Sequence, residues 1–413
     1  MTGAHPAYLK LELAVRGLRL DPSVRQHPEL FRADFLGDQV TRSLDLALSG
    51  DVRVAVAVEE PGASSSPFVL VADEGRFYLV RGGNGTAERL RAVRPVPQPR
   101  FYERRTNTGT PMWRVATVHG SHIVVNPGAA CGFSLRGTPC RFCVEGARAT
   151  DRETVASVAD VVETVRAAFD EGAADLVYFN TGYFEGEDGG IAFLEPYIAA
   201  VRRHFDTLVA TQVHPPRSDR WIDRTYAMGV DALSYNLEIF DPDVLSRHCI
   251  GRVRYIGRER YLDALAYAAR IFPSGTVWSE LVAGLEPPES TRAGIDTLVR
   301  AGVVPVVSIF HPLGETALRE RLLPEPAAIV PVLEHLYLAV KRAHINMGWV
   351  RDLSLGITPL EARVFAGDGA MLAVAVQHMT RWRLGALAAR SLARFRRRLR
   401  VKTVSESFDA AHT

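Results

Sequence analysis

Two styles of apolar patterning divide the chain. Over residues 1–110, short apolar runs at Val52–Val58, Phe68–Ala72 and Phe77–Val80 are parted by the turn-rich GASSSP and RGGNGT, the pattern of short strands. Helical periodicity over Pro28–Leu48 predicts a helix. The proline-rich RPVPQP, Arg94–Pro99, ends the stretch. The reading is an N-terminal α+β accessory domain, 1–110, with no motif that carries chemistry.

From Arg114 onward, strand and helix patterns take turns. Strands are predicted at His122–Val125, Leu176–Asn180, Thr207–Val213, Ala232–Glu238, Val277–Val282 and Val303–Phe310. Helices are predicted at Glu153–Asp170, Ile191–His204, Asp219–Met228, Arg258–Ile271, Ser290–Ala301 and Pro326–Ala343. Serial strand–helix units form parallel sheets, because each return to a parallel strand needs a crossover. The fold class is therefore α/β, a partial or complete (β/α) barrel over 111–345, with functional residues expected at the C-terminal ends of its strands. A helix at Leu360–Met379 and the basic run Arg390–Lys402 make a helical C-terminal extension, 346–413.

Composition narrows the function classes. Of 413 residues, 47% are hydrophobic and 23% charged, as in an ordinary globular protein. No stretch reaches the ~18 uncharged apolar residues of a membrane helix, and Lys10 and Glu12 interrupt what a signal peptide would need as its apolar core. The expectation is a cytoplasmic protein. The net charge of +2 gives no global attraction to nucleic acid.

Cysteine usage points to chemistry. Cys131, Cys140 and Cys143 stand together as C-x8-C-x2-C just after the first barrel strand, and Cys249 stands far from them. Clustered cysteines in such a chain serve metal or redox work. Gly132, Gly137 and Pro139 let the loop wrap tightly, and Phe142 precedes the last cysteine. Three thiolates suit a zinc site closed by His119 or His122, or a 4Fe-4S cubane with one iron left open.

Here the chain resembles the radical S-adenosylmethionine (radical SAM) superfamily. Most members carry C-x3-C-x2-C with an aromatic before the last cysteine, on the loop after the first barrel strand. The first spacing here is longer. Further motifs follow in order over residues 114–325. Asn180-Thr181-Gly182-Tyr183 stands where the family has a glycine-rich turn facing the cofactor's amino group, with Tyr183 in place of a glutamate. Asn236-Leu237-Glu238 is similar to the ribose-gripping stretch of biotin and lipoyl synthases. Arg260, or Arg258, matches their carboxylate-binding arginine. LVAGLEPPEST and IFHPLGETAL are similar to two later turns.

The resemblance implies a 4Fe-4S cluster on Cys131, Cys140 and Cys143, with S-adenosyl-L-methionine bound by Gly182, Tyr183, Asn236, Glu238 and Arg258 or Arg260. It implies reductive cleavage of that cofactor to a 5'-deoxyadenosyl radical that takes hydrogen from an unidentified substrate. It also implies a low-potential electron donor such as flavodoxin or ferredoxin. With Cys249 alone left over, no second cysteine-held cluster is expected; Cys249 is a buried thiol or a hydrogen donor to a substrate radical. Tyr183, Glu185, Glu187, His214 and His311 are candidates to line the substrate pocket. Two alternatives are a relative that forms a 3-amino-3-carboxypropyl radical and a zinc-stabilised barrel that binds without catalysis.

Overall fold

The computed structural model describes residues 5–32, 43–48, 52–83, 86–128, 130–144, 155–348, 350 and 356–368. Helix α1, Pro6–Arg16, opens with proline at its first turn, where an N–H would be orphaned anyway, and with His5 accepting the Ala7 N–H at 3.2 Å. It stops at Gly17, whose φ of 67° favours glycine. A Cβ at Gly17 would also lie 2.6 Å from that of Ala63.

Strand β1, Arg19–Leu20, begins a sheet completed by β2 (Ser43–Ala47), β3 (Arg53–Ala57), β4 (Phe68–Asp73), β5 (Arg76–Gly83) and β6 (Thr86–Pro95). The short helix α2, Pro61–Ser64, follows β3. The strand order is β1-β4-β5-β6-β2-β3. A bridge between Leu18 and Val58 joins its two outer edges, so the sheet curls around its own core of Leu13, Leu46, Val56, Phe68 and Leu79. At both described ends of the span Pro28–Leu48 the expected helix is absent. The chain makes one 3-10 turn at Pro28–Leu30 and then β2, in which Leu44 and Leu46 are buried on either side of Asp45. The two-residue period prevails because β2 pairs on both sides, with β3 and with β6; residues 33–42 lie outside the described residues.

Helix α3 (Met112–Val115) leads to the hairpin β7 (Ala116–His119) and β8 (His122–Val125), and α4 (Gly132–Leu135) follows. Then come α5 (Val158–Asp170), β9 (Leu176–Asn180), α6 (Ile191–His204), β10 (Leu208–Gln212) and α7 (Arg220–Ala227). Next are β11 (Ala232–Ser234), α8 (Pro242–His248), α9 (Ile250–Tyr255) and α10 (Arg258–Ile271). The last elements are β12 (Val277–Ala283), α11 (Pro288–Arg300), β13 (Val304–Ile309), α12 (Pro326–Arg342) and α13 (Pro359–Ala362). Helix α5 begins after Ser157, where Ser157 and Asp160 cap each other's orphan N–H groups.

The second sheet runs β13-β12-β11-β10-β9-β8-β7, parallel except for β7. All six predicted strand–helix units are present, arranged as a partial barrel. One face carries Val177, Phe179, Val209 and Leu233 against the helices, and α1 adds Leu11 and Val15 to that core. The opposite face gathers Tyr178, Ala210, Ala232, Trp278, Val304 and Val306 with Val340, Ile345 and Val350. Buried Lys10 of α1 pairs with Glu361 of α13 at 2.6 Å, which ties the chain's first helix to its last described one. Of the helix expected over Leu360–Met379, the described residues form only the short helix Pro359–Ala362, which gives way to a turn over 363–367; residues beyond 368, including the basic run 390–402, lie outside the described residues. Among the described residues no helix is long and apolar enough to cross a membrane.

Trp278 is fully buried where strand and helix ends meet. Trp278→Ala should cost about 3–5 kcal/mol in urea unfolding. A loss below about 1 kcal/mol would show that this face is not a packed core.

Candidate functional site

The strand C-termini face one another across the mouth of the barrel, and the cysteine loop lies over the end of β8. Its position is fixed by backbone contact. The Gly132 N–H donates to the Tyr183 carbonyl at 2.8 Å, and the Tyr183 N–H donates to Cys131 Sγ at 3.4 Å. A Cβ on Gly182 would lie 2.7 Å from both Cα and Cβ of Cys131. Glycine at 182 is therefore what lets the loop touch the turn after β9. Phe133 stacks on Tyr183, with centroids 4.2 Å apart and planes at 7°, and meets His214 edge-on at 5.0 Å.

A second seam joins the loop to α8 and α9. The Arg141 N–H donates to the His248 carbonyl at 2.9 Å. Gly251 lies so close to Phe133 that a Cβ would meet its ring at 2.6 Å. Cys140 and Phe142 pack on the apolar cluster that contains Cys249. The hydrogen bond with the Cys249 thiol pulls the Cys140 thiol below its usual range, helped by the Arg252 charge, and pushes Cys249 up. Cys131, Cys140 and Cys143 are half-buried, whereas Cys249 is wholly buried.

Opposite the loop, the fourth barrel strand ends at Ser234, earlier than its predicted limit at Glu238, and the chain turns toward β12. Glu238 has a φ of 68°, unusual for a residue with a side chain, and is held by the Glu280 carbonyl and the Val282 N–H at 2.8 and 2.7 Å. Asn236 Oδ1 accepts from the Ser234 hydroxyl and from the Glu280 N–H, and the Asn236 side chain also bonds Glu238.

The cation here is Arg252, which the sequence motifs did not single out. Its guanidinium donates to the Asn236 carbonyl and to Glu238 Oε1, the latter at 3.1 Å, and lies 5.7 Å from the Tyr261 ring centre. Its buried Nε has no partner among the described residues. Burial raises the Glu238 pKa above the ordinary value, against the pull of Arg252 and Asn236. His214 Nδ1 meets the Tyr261 hydroxyl at 2.6 Å, and burial, then the Arg252 charge, holds His214 well below its usual pKa.

The other candidates are placed as follows. Arg258 donates to the Phe240 carbonyl at 3.0 Å and lies over that ring. Arg260 donates to the Pro216 carbonyl at 2.7 Å and pairs with Asp219 at 2.9 Å. Glu185 pairs with Arg136, and Glu187 with Arg220. His311 turns away to the Val15 carbonyl of α1. His119 and His122 lie at the far end of the β7–β8 hairpin from the cysteine loop, with His122 against Tyr178. A cavity of about 1520 Å³ runs along this hairpin from Asp45, Tyr102 and His119 to Asn126 and Asn180 at the strand ends.

A resident metal–sulfur group is testable against this donor set. Three soft thiols on one half-buried loop are the chemistry such a group needs. Among the described residues no three His, Cys, Asp or Glu side chains converge on one point as ligands of a single ion. A cubane is broader than an ion and takes its thiolates at separate corners, and the three thiols of this loop match one in number and type.

Residues 125–308 match the family model described as the radical SAM superfamily. Over these residues the barrel is similar to that superfamily. A curated relative, bacteriochlorophyllide c C-7(1)-hydroxylase of Chlorobaculum limnaeum, is 23% identical over 204 residues, 45% of this chain and 51% of that protein. The chain thus spans about half the length of the curated relative it matches. Among solved structures, methylornithine synthase aligns with a TM-score of 0.43 and 13% identity, covering 58% of this chain and 65% of that one. The FeFe-hydrogenase maturase HydG from Carboxydothermus hydrogenoformans aligns with a TM-score of 0.43 and 15% identity, covering 57% of each.

Arg252→Ala would strand the Glu238 carboxylate in a buried site, at a cost of about 3–5 kcal/mol. The Glu238 pKa would then rise further. A raised folded-state pKa contributes stability present below the unfolded pKa and lost as pH rises through the folded one. The urea midpoint of Arg252→Ala should therefore fall with increasing pH, starting just above the ordinary glutamate range, more steeply than in the wild type. Parallel pH curves would show that Arg252 does not neutralise Glu238.

Proposed function

We propose that the chain is a radical SAM enzyme with one 4Fe-4S cluster, held by Cys131, Cys140 and Cys143. The observation that carries this reading is the contact between Cys131 and the Gly182–Tyr183 turn, which sets the thiol loop against the strand ends of a barrel similar to this superfamily. The chemistry that the cluster and S-adenosyl-L-methionine supply when bound is reductive cleavage of the sulfonium, giving a 5'-deoxyadenosyl radical that takes hydrogen from a substrate C–H bond.

The chain's own residues bind and orient. Asn236 and Glu238, linked to each other and to Arg252, offer an amide and a carboxylate suited to a vicinal diol. Arg252 carries the guanidinium nearest that pair and has a spare buried Nε–H, so we assign it, ahead of Arg258 and Arg260, to the cofactor carboxylate. The turn at Gly182 and Tyr183 would receive the cofactor's amino group. The stacked Phe133, Tyr183 and neutral His214 keep water from the mouth. The cavity along the β7–β8 hairpin, which reaches Asn126 and Asn180, is the space we assign to substrate.

Anaerobic reconstitution tests the reading. Iron should saturate at about four per chain. Alanine at Cys131, Cys140 or Cys143 should abolish iron retention, whereas Cys249→Ser should keep it. A colourless protein that retains zinc, or a full cluster in Cys131→Ala, would overturn the assignment.

A further inference from the structure

Cys249 is buried at the joint of α8 and α9, and the reaction proposed above does not use it. Its N–H donates to the Leu245 carbonyl at 2.7 Å and its carbonyl accepts the Val253 N–H at 3.2 Å, so its backbone is fixed on both sides. The cysteine loop runs past this joint. Arg141 donates its N–H to the His248 carbonyl at 2.9 Å, and the Cys140 carbonyl accepts the Cys143 N–H at 3.1 Å. Cys140 stands just before that crossing and Cys249 just after it, and the two thiols share a hydrogen bond. A disulfide needs Cα atoms within about 7 Å and side chains that converge. Backbone contact between the adjoining residues and contact between the thiols serve both needs. Cys131 is turned elsewhere, since its Sγ receives the Tyr183 N–H at 3.4 Å. Ile239, Leu245, Val282 and Leu285 gather around Cys249, and Cys140 packs on the same cluster. Cys140 is half-buried, so a small oxidant reaches it first, with Cys249 behind it.

We propose that Cys140 and Cys249 are a redox pair, which peroxide joins as a disulfide in the protein without its cluster. Peroxide attacks at Cys140: an S–O bond forms as the O–O bond breaks, leaving a sulfenic acid and water. The Cys249 sulfur then attacks that sulfur. The S–S bond forms as the S–O bond breaks, and the displaced hydroxyl leaves as water with the Cys249 proton. Two thiols and one peroxide become one disulfide and two waters, with two electrons passing from sulfur to oxygen. The disulfide is reversible by a dithiol, whereas a sulfenic acid without a neighbouring thiol goes on to sulfinic acid. Cys249 thus keeps Cys140 recoverable. The consequence for cofactor assembly rests on the cluster reading: one sulfur cannot hold iron and Cys249 at once, so pairing and cluster exclude each other. The pairing itself does not depend on that reading.

The test has two arms, both on the full chain. In the first, reduced protein without iron is treated with hydrogen peroxide, alkylated, and digested with trypsin without reduction for mass spectrometry. Trypsin leaves Cys140 in peptide 137–141, Cys143 in the peptide after it and Cys249 in peptide 248–252, so each linkage has its own mass. The 137–141 and 248–252 peptides should appear linked, and dithiothreitol should part them. In Cys249→Ser and Cys249→Ala, excess peroxide should convert Cys140 to sulfinic acid, which dithiothreitol does not reverse. A Cys140–Cys143 or Cys131–Cys140 link in place of the expected one, or no link, would overturn the proposal; the wild-type digest decides this without any variant. In the second arm, diamide, a thiol oxidant that works without oxygen, is added anaerobically to iron-free and to reconstituted protein. The link should be about tenfold or more scarcer in the reconstituted protein. Equal linking in both would support the pair while refuting Cys140 as a cluster ligand. A protein that takes up no iron yet forms the link would likewise support the pair and refute the cluster reading.

Discussion

A guanidinium removed from water is the constraint on which the barrel mouth depends. Arg252 is 9% exposed, and a buried cation must be matched by groups placed to receive it. The Asn236 carbonyl and the Glu238 carboxylate meet that need, so the chain after β11 leaves the sheet and accepts a positive φ at Glu238. The turn in turn rests on β12 through Glu280 and Val282. On its other side, Arg252 belongs to the short helix whose Gly251 supports Phe133 of the cysteine loop. One ion pair thus sets the distance between the two halves of the mouth.

Backbone closeness does the rest. At Gly182 and Gly251 the cysteine loop lies against neighbouring segments where a Cβ would overlap backbone or ring atoms at 2.7 and 2.6 Å. Such contacts hold without side-chain freedom, so the half-buried thiols sit on a loop fixed at both ends.

Much of the barrel was legible in the sequence, because its strands have apolar runs of ordinary length and its helices keep their period. Strand β2 was not, since Leu44 and Leu46 also fit a helical spacing and only their pairing partners decide between the two. Strand β11 ended early because the need to meet Arg252 overrode the alternation that runs on to Glu238. The site was partly legible. The loop cysteines, Gly182, Asn236 and Glu238 stand in motifs with a chemical logic. Arg252 carries no such signal, because GRVRY offers Arg252 and Arg254 two positions apart and only the packing of α9 decides which is buried. Tyr261, which holds His214, reads in sequence as one more apolar helix position.

We propose that three thiolates from one loop hold a cluster with one iron open to S-adenosyl-L-methionine. Mössbauer spectroscopy of protein reconstituted with iron-57, recorded with and without that cofactor, tests it directly. With three cysteine ligands, about one iron in four should have a distinct environment, and only that part of the spectrum should move when the cofactor is added. Irons that are all alike and unmoved by the cofactor would contradict the account.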